Sequence, residues 1–250
     1  MDNVLKFINN LNINENDTVV VSCSYGPDSM YMLYIMHTYY KCKVVCAHVN
    51  HKMRQASEQE YIDLKSYCDK NNIIFEGTEI LNYDTCDNFH EYARNFRYEY
   101  FESVVKKYHA KYLFTAHHGD DLMETILMHI LRGGSIYGYS GFDFIVDKVD
   151  YKIVRPLVYL SKDEIEKYDE ELNIPYAIDE SNLEDHYTRN RFRHHVLPFL
   201  KSEEKDAHLK FLNFASNLKE CTKFLDNYVY SIIDKIYVDK VLDLNKFENL

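Results

Sequence analysis

Glycine is scarce in this 250-residue sequence, which also lacks a long apolar run and a closely spaced cysteine pair. Because no run of about 18 apolar residues occurs, we expect no membrane-spanning segment and no membrane partner. The first ten residues carry neither a basic leader nor an apolar export core, so we expect no export. We therefore predict a cytoplasmic protein whose six cysteines are reduced and mostly buried.

Positive charge is also in short supply, since the formal net charge is -11. This balance argues against a protein coated for nucleic-acid binding. One strip departs from it: the segment HYTRNRFRHH, residues 186–195, contains Arg189, Arg191 and Arg193 and no acid. The strip predicts a local contact with a polyanion that weakens strongly with added salt.

The few glycines are clustered. Apart from Gly77, they lie in one turn at Gly26, beside an acidic pair at Gly119, and in the segment RGGSIYGYSGFD. Glycine is favoured where a backbone turns sharply or approaches a ligand closely. We therefore expect the site loops at these places.

Short β-branched runs alternate with helical patterns through the first half of the sequence. The runs cover residues 18–24, 43–49, 72–80 and 112–116, and a further strand is predicted near residues 151–154. Such alternation is typical of an α/β fold, here a doubly wound parallel sheet with helices on both faces. We predict this domain over residues 1–200, followed by a short helical region over residues 201–250.

The turn after the first predicted strand has the composition of a phosphate-binding loop. It offers backbone N–H groups at a helix N-terminus, the hydroxyls of Ser24 and Ser29, and the flexible backbone of Gly26. Asp28 would repel a phosphate unless Mg²⁺ lay between them, or it could cap the helix. The spacing matches neither of the common glycine-rich nucleotide loops. A phosphate site and an ordinary capped turn both remain open here.

A second polar segment, TAHHGDDLMETIL, begins where a predicted buried strand ends at His117 and His118. Asp120, Asp121 and Glu124 then share one flank of the following helix. Acids in a first helical turn favour the helix dipole, which accounts for the two aspartates but less well for Glu124. The cluster suits Mg²⁺ or a cationic amine, and a zinc site with the histidines is a less favoured alternative.

Two further groups of polar residues are a pair of arginines on a predicted helix and the end of the second strand, which lies at the same sheet edge. Arg94 and Arg97 lie one helical turn apart, with Glu91 before them. They form either an exposed ion-paired face or a grip for a triphosphate or carboxylate. The second strand ends in AHVNHKMR, which contains His48, Asn50, His51 and Arg54.

Taken in order, these segments resemble the PP-loop, or N-type, ATP pyrophosphatases, and among them the tRNA(Ile)-lysidine synthetase family. The matching segments are SYGPDS at residues 24–29, AHVNH with Arg54, EYARNFRY, TAHHGDDLMETILMHILRG, RPL at residues 155–157, and DESNLEDHYTRNRFRHHVLP. They cover about residues 15–200. Six motifs in the expected order make the resemblance specific.

The resemblance implies a ligase that uses ATP and Mg²⁺ on a tRNA. In this family the C2 oxygen of the wobble cytidine, position 34 of a CAU-anticodon tRNA(Ile), is adenylated with release of pyrophosphate. The ε-amine of free L-lysine then displaces AMP. Much of such catalysis is alignment and charge neutralisation.

The resemblance also implies roles for individual residues. The residues implied to bind ATP are Ser24, Tyr25, Gly26, Pro27, Asp28, Ser29, His48 and His117. The implied catalytic residues are Asp28, Arg94, Asp120, Asp121 and Glu124, with Mg²⁺ at Asp28 and Asp121. The residues implied to face the tRNA are Arg132, Arg189, Arg191 and Arg193.

Two features depart from the family pattern. Tyr25 stands where the loop has its first glycine, so it is strained if the position needs a positive φ. Otherwise we expect its ring on the nucleotide or the solvent side. Many relatives carry longer C-terminal domains that hold the tRNA acceptor stem, whereas about 45 residues follow the matched region here.

Two other functions remain as alternatives. A tRNA 2-thiolase of the same fold would use catalytic cysteines or an iron–sulfur cluster, which the missing C-x-x-C motif disfavours. A nucleotide-binding module that has lost catalysis would account for Tyr25 but not for the retained acids. The sequence leaves the oligomeric state open, with a homodimer as one option.

Overall fold

One six-stranded sheet organises the computed structural model, which describes residues 1–52, 56–80, 89–178, 185, 187–238 and 241–242. Arg54 and residues 179–184 and 186 of the last motif lie outside this set. The strands are β1 (Thr18–Ser22), β2 (Lys43–Asn50), β3 (Ile74–Glu79), β4 (Tyr112–Phe114), β5 (Ile145–Asp147) and β6 (Lys152–Val154).

The strand order is β3-β2-β1-β4-β6-β5, and every neighbouring pair is parallel except β5 with β6. The predicted doubly wound α/β fold is therefore confirmed. The antiparallel edge strand β5 was not predicted, since its three residues are too short to establish a periodic pattern.

Helices connect the strands and continue beyond them. The α-helices are α1 (Asp2–Asn9), α2 (Pro27–Tyr39), α3 (Ala56–Lys70), α4 (Phe89–Lys107), α5 (Gly119–Leu131), α6 (Ile136–Tyr139), α7 (Lys162–Glu171), α8 (Thr188–Arg191), α9 (Leu197–Glu203) and α10 (Ala207–Ile236). A 3₁₀ helix covers Pro156–Tyr159.

Alternating side chains of β1 supply two cores, one on each face of the sheet. Val19 and Val21 pack with apolar residues of α1, α2, α3 and α7, whereas Val20 packs with the inner face of α4. Burial on both faces explains why β1 is a continuous run of β-branched residues. The same arrangement leaves the carboxyl ends of the strands as the open edge.

The strand order reverses direction between β1 and β4. From β1 the chain proceeds outward to β2 and β3, then returns to β4 on the other side. The connections after β1 and β4 therefore leave the sheet side by side, which is the usual position of a ligand site in an open α/β sheet. Both polar segments singled out in the sequence follow these two strands.

The helix predicted over residues 189–200 is divided into three pieces. A π-helical turn, Phe192–Val196, separates α8 from α9. Pro198 has no N–H to donate to the carbonyl oxygen of His194, so a regular α-helical ladder cannot pass through this point. Such π-helical turns are frequent at functional sites.

The prediction of a helix from about residue 204 to the end is wrong at its last part. Helix α10 ends at Ile236, and the strands β7 (Tyr237–Val238) and β8 (Val241–Leu242) pair antiparallel after it. The β-branched and aromatic run at this point favours extended structure. The beginning of α10 packs Leu212 and Ala215 against α5. None of the helices within the described residues combines the length and apolar character needed to cross a bilayer.

Candidate active site

The loop between β1 and α2 curves around the hydroxyl group of Ser29. The backbone N–H of Ser24 donates to Ser29 Oγ at 3.1 Å, and Ser29 Oγ donates to the carbonyl oxygen of Gly26 at 2.9 Å. Gly26 is the N-cap of α2 and has no side chain to cap the first turn. The first-turn N–H groups therefore remain oriented toward an anion at the helix N-terminus.

Tyr25 has φ +67°, so the loop does require the left-handed region at this position. The first of the two expectations for this position therefore applies, and the alternative placement of the ring does not: Tyr25 is 8% exposed and packs in the core on the α2 face of the sheet. The Tyr25 carbonyl oxygen accepts a hydrogen bond from the backbone N–H of Ala177 at 2.9 Å. Tertiary packing therefore holds a backbone conformation that tyrosine disfavours.

His48 supports this loop from behind. Its Nδ1 donates to the carbonyl oxygen of Cys23 at 2.8 Å, and its ring packs against Tyr61 and Phe75. Burial lowers the pKa of His48, so the neutral ring with a proton on Nδ1 is the form that fits. The predicted contact of His48 with ATP remains a prediction.

His118 lies where the β1–α2 loop meets the start of α5. Its Nε2 is 3.8 Å from Asp28 Oδ1 and 3.5 Å from Asp121 Oδ2. Its backbone N–H donates to Asp121 Oδ2 at 3.0 Å, which caps α5. Burial alone would raise the pKa of Asp121, but the neighbouring His118, His117 and Arg189, with the backbone N–H of His118, together lower it below its ordinary value. Asp121 is thus an ionised carboxylate.

Asp120 is buried and ties α5 to two other helices. Its Oδ2 accepts hydrogen bonds from Lys201 Nζ at 2.6 Å and from the backbone N–H of Lys162 at 3.4 Å. Its Oδ1 has no hydrogen-bond partner among the described residues. Lys201 also donates to Asp163 at 2.9 Å.

Glu124 is 0% exposed and accepts hydrogen bonds from two arginines. Arg189 Nε lies 2.6 Å from its Oε2, and Arg193 Nε lies 2.8 Å from its Oε1. Both arginines were predicted to face the tRNA, and the structure shows both guanidinium groups in contact with the acidic motif. Their side chains are 44% and 33% exposed, so a tRNA contact by their free edges remains a prediction.

The other two arginines of the predicted tRNA surface lie further out. Arg191 is exposed and donates to the carbonyl oxygen of Asp185 at 3.1 Å. Arg132 is exposed at the C-terminal end of α5, about 18 Å along the helix from Asp120. Their role in tRNA binding remains a prediction.

Arg94 is exposed on α4, with its guanidinium 6.0 Å from the Tyr98 ring centre, and its catalytic role remains a prediction. Burial and the charge of Arg97 lower the pKa of His51 to about 4, which places Arg97 near the end of β2.

His117 Nδ1 lies 3.0 Å from Thr115 Oγ1. Burial lowers the pKa of His117 to about 4, so this ring is neutral.

The zinc alternative finds no support. Within the part of the chain that the structure describes, no three or more His, Cys, Asp or Glu side chains are grouped to hold a metal ion. His117 is bonded to Thr115, and His118 lies between two aspartates.

Comparison with known proteins agrees with this geometry. The sequence profile of the PP-loop domain matches residues 1–200. The chain belongs to the PP-loop family. The resemblance drawn from the motifs is thus confirmed, and we call the β1–α2 loop, residues 24–29, the PP-loop after the motif that it matches.

The similar curated proteins are tRNA-modifying enzymes. The chain is 36% identical to the tRNA(Ile)-lysidine synthase of Bacillus subtilis, over 94% of the chain and 52% of that protein. It is 32% identical to the tRNA(Ile)-lysidine synthase of Geobacillus kaustophilus, over 100% of the chain and 57% of that protein. The chain therefore spans about half the length of the curated relatives it matches.

A solved structure supports the fold. The U34-tRNA thiolase NcsA from Methanococcus maripaludis, solved with its [4Fe-4S] cluster, superposes with a TM-score of 0.74. The alignment covers 88% of this chain and 77% of the thiolase, with 16% sequence identity. At that identity the likeness extends to the fold alone.

Two lysines that pair with predicted site acids were not predicted from the sequence. Lys162 Nζ donates to Asp28 Oδ1 at 2.7 Å, and Lys201 pairs with Asp120. Lys162 carried a usable signal, because a cation at the first position of a helix opposes the helix dipole. Lys201 carried none, since its partner is distant in sequence.

Asp169 is a third residue that the sequence did not reveal. It lies on α7, is 1% exposed, and neither carboxylate oxygen has a hydrogen-bond partner among the described residues. Burial, reinforced by the negative charge of Asp28, raises its pKa to about 8. The carboxyl group is therefore mainly protonated at neutral pH in the folded chain.

This protonation predicts that stability falls as pH rises. Between the ordinary pKa of aspartate and about 8, the unfolded chain has lost this proton and the folded chain keeps it. The free energy of unfolding then decreases by up to about 1.4 kcal/mol per pH unit. We expect the free energy of unfolding of Asp169→Asn, relative to that of the wild type, to rise by about 2 kcal/mol from pH 6 to pH 8, as measured by urea denaturation.

The matched control is Glu170→Gln, which removes an exposed charge from the same helix. This variant should follow the wild-type pH profile. Parallel profiles for Asp169→Asn and the wild type would show that Asp169 does not titrate in this window.

Proposed function

We propose that this chain carries the ATP-dependent ligation of lysine to the wobble cytidine of a CAU-anticodon tRNA(Ile). The C2 oxygen of the cytidine forms a bond to the α-phosphorus of ATP, and pyrophosphate leaves with the electron pair of the broken bond. The lysine ε-amine then attacks C2, loses a proton, and displaces AMP. The names of the relatives support the tRNA and the product.

The observation that carries this proposal is the joining of two motifs at His118. Asp28 of the PP-loop and Asp121 of the acidic motif both approach its Nε2 within 3.8 Å. A helix N-terminus of the kind that binds phosphate and an ionised carboxylate therefore lie on either side of one histidine. This pairing suits a reaction that brings a nucleotide and a cationic amine together.

The chain's own residues have distinct tasks in this scheme. The first-turn N–H groups of α2, with Ser24 and Ser29, hold the phosphates of ATP. Asp121 offers a charged oxygen to the lysine ammonium. Arg189 and Arg193 neutralise Glu124, so that the buried acid does not repel the phosphates.

Asp28 and Asp121 are the residues that would hold Mg²⁺. Magnesium is commonly bound through one or two carboxylates together with substrate phosphates, and two carboxylates near one histidine fit that pattern. The ion would neutralise charge on the phosphates when bound. No protein cage of three or more ligands is needed, and none exists within the described residues.

The test is a ligation assay with purified protein. ATP, Mg²⁺, labelled lysine and a CAU-anticodon isoleucine tRNA should yield AMP, pyrophosphate and labelled tRNA. A tRNA with uridine at the wobble position and a reaction without ATP are the controls. If ATP binds but no label enters the tRNA, the chain is a nucleotide-binding module. If a sulfur donor reacts in place of lysine, the chain is a thiolase.

A further inference from the structure

The position of Lys162 is unfavourable for the helix that carries it. Lys162 is the first residue of α7, where the helix dipole disfavours a cation. The helix end does not require it, because Ser161 and Glu164 already form a capping box. An anion at the site must therefore account for the lysine.

In the structure the nearest anion is Asp28, with Glu166 Oε1 of the same helix farther away at 3.8 Å. Lys162 Nζ lies 2.7 Å from Asp28 Oδ1, and the two side chains are 28% and 27% exposed. The backbone N–H of the same residue donates to Asp120. Lys162 thus contacts the start of α2 through its ammonium and the start of α5 through its backbone N–H. Because Asp28 keeps access to solvent, separating this pair would leave no fully buried charge behind.

The other cations contacting the motif acids are held more firmly. Arg189 and Arg193 pair with Glu124, which has no access to solvent. Lys201 pairs with Asp120, which is also buried. Removing any of these cations would take a charged partner from a buried carboxylate. Of these contacts, only the pair of Lys162 with Asp28 can exchange partners at low cost.

We propose that Lys162 is a catalytic residue that moves from Asp28 to the pyrophosphate portion of ATP. The inference rests on the proposed function. Its ammonium then neutralises the charge that develops on pyrophosphate as the bond to the α-phosphorus breaks. The pair with Asp28 is the resting arrangement, which keeps both charges compensated until a phosphate arrives.

Lys162→Met tests this role, and Lys167→Met is its matched control. Lys167 lies on the same helix and forms an exposed ion pair with Glu171 at 3.7 Å. Isothermal titration with inorganic pyrophosphate and Mg²⁺ measures the contact without tRNA or lysine. We expect Lys162→Met to weaken pyrophosphate binding about tenfold, and Lys167→Met to leave it unchanged.

The complete ligation assay supplies a second readout. We expect Lys162→Met to lower kcat for AMP formation about 100-fold while the KM for lysine stays within about threefold. Lys162→Arg keeps the charge and should retain most pyrophosphate binding, which keeps the test valid if the methionine variant folds poorly.

Equal pyrophosphate affinity in Lys162→Met and the wild type would overturn the inference. The two proposals can fail separately. If the wild type transfers no label to tRNA and the Lys162→Met variant binds pyrophosphate more weakly than the wild type, the phosphate contact is supported and the ligase function is contradicted. If the wild type labels the tRNA and the Lys162→Met variant binds pyrophosphate as tightly as the wild type, the ligase function is supported and the role of Lys162 is contradicted.

Discussion

Replacing Arg189 and Arg193 together by methionine should destabilise the fold by about 3–5 kcal/mol. Glu124 has no access to solvent, and these two guanidinium groups are the cations bonded to its two oxygens. Without them a buried carboxylate loses its charge compensation. The free energy of unfolding from urea denaturation at neutral pH measures the effect.

Adding Glu124→Gln to the double variant should recover a large part of this loss, because the uncompensated charge is then removed. Arg191→Met is the matched control, since it removes an exposed arginine from the same strip. A double variant that loses less than about 1 kcal/mol would show that these pairs are as weak as ordinary surface ion pairs.

Tyr25 should tolerate glycine better than alanine, although glycine is the smaller residue. Tyr25→Ala loses the packing of a buried ring and keeps the strained backbone, so we expect a loss of about 3 kcal/mol. Tyr25→Gly loses the same ring but adopts φ +67° freely. The glycine variant should therefore be about 1 kcal/mol more stable than the alanine variant in urea denaturation.

Substitutions at Asn12 are the control that separates the effect of backbone strain on stability from the effect of lost packing. It is exposed and has φ +54°, so Asn12→Gly and Asn12→Ala should show the same order with little loss of packing. We also expect Tyr25→Gly to bind ATP within about tenfold of the wild type, because the ring packs away from the loop surface. An alanine variant as stable as the glycine variant would contradict the strain at Tyr25.

The local pattern of residues was sufficient to predict the fold class and the edge of the sheet at which the two polar segments meet. Alternating runs of period 2 and helical patterns predicted the parallel sheet, and the strand ends located both polar segments at one edge. Where a stretch was too short or too ambiguous, the pattern failed. Strand β5 and the pair β7 and β8 belong to this group.

The partners of the charged residues depended on the tertiary structure. Glu124 is paired with arginines more than 60 residues later, and Asp28 with a lysine 134 residues later. Hydrophobic periodicity shows which face of an element is buried, but not which distant side chains share that burial. The basic strip was therefore assigned wholly to a polyanion, although two of its arginines compensate the acidic motif.

Tyr25 illustrates the same division. Its place in the PP-loop and the strain it would suffer at positive φ followed from the residue types alone. Whether the loop needs a positive φ, and where the ring lies, depended on the core between α2 and the sheet and on the bond from Ala177. The type of a residue limits the interactions that it can make. The packing of distant segments determines which conformation and which partner it has in the folded protein.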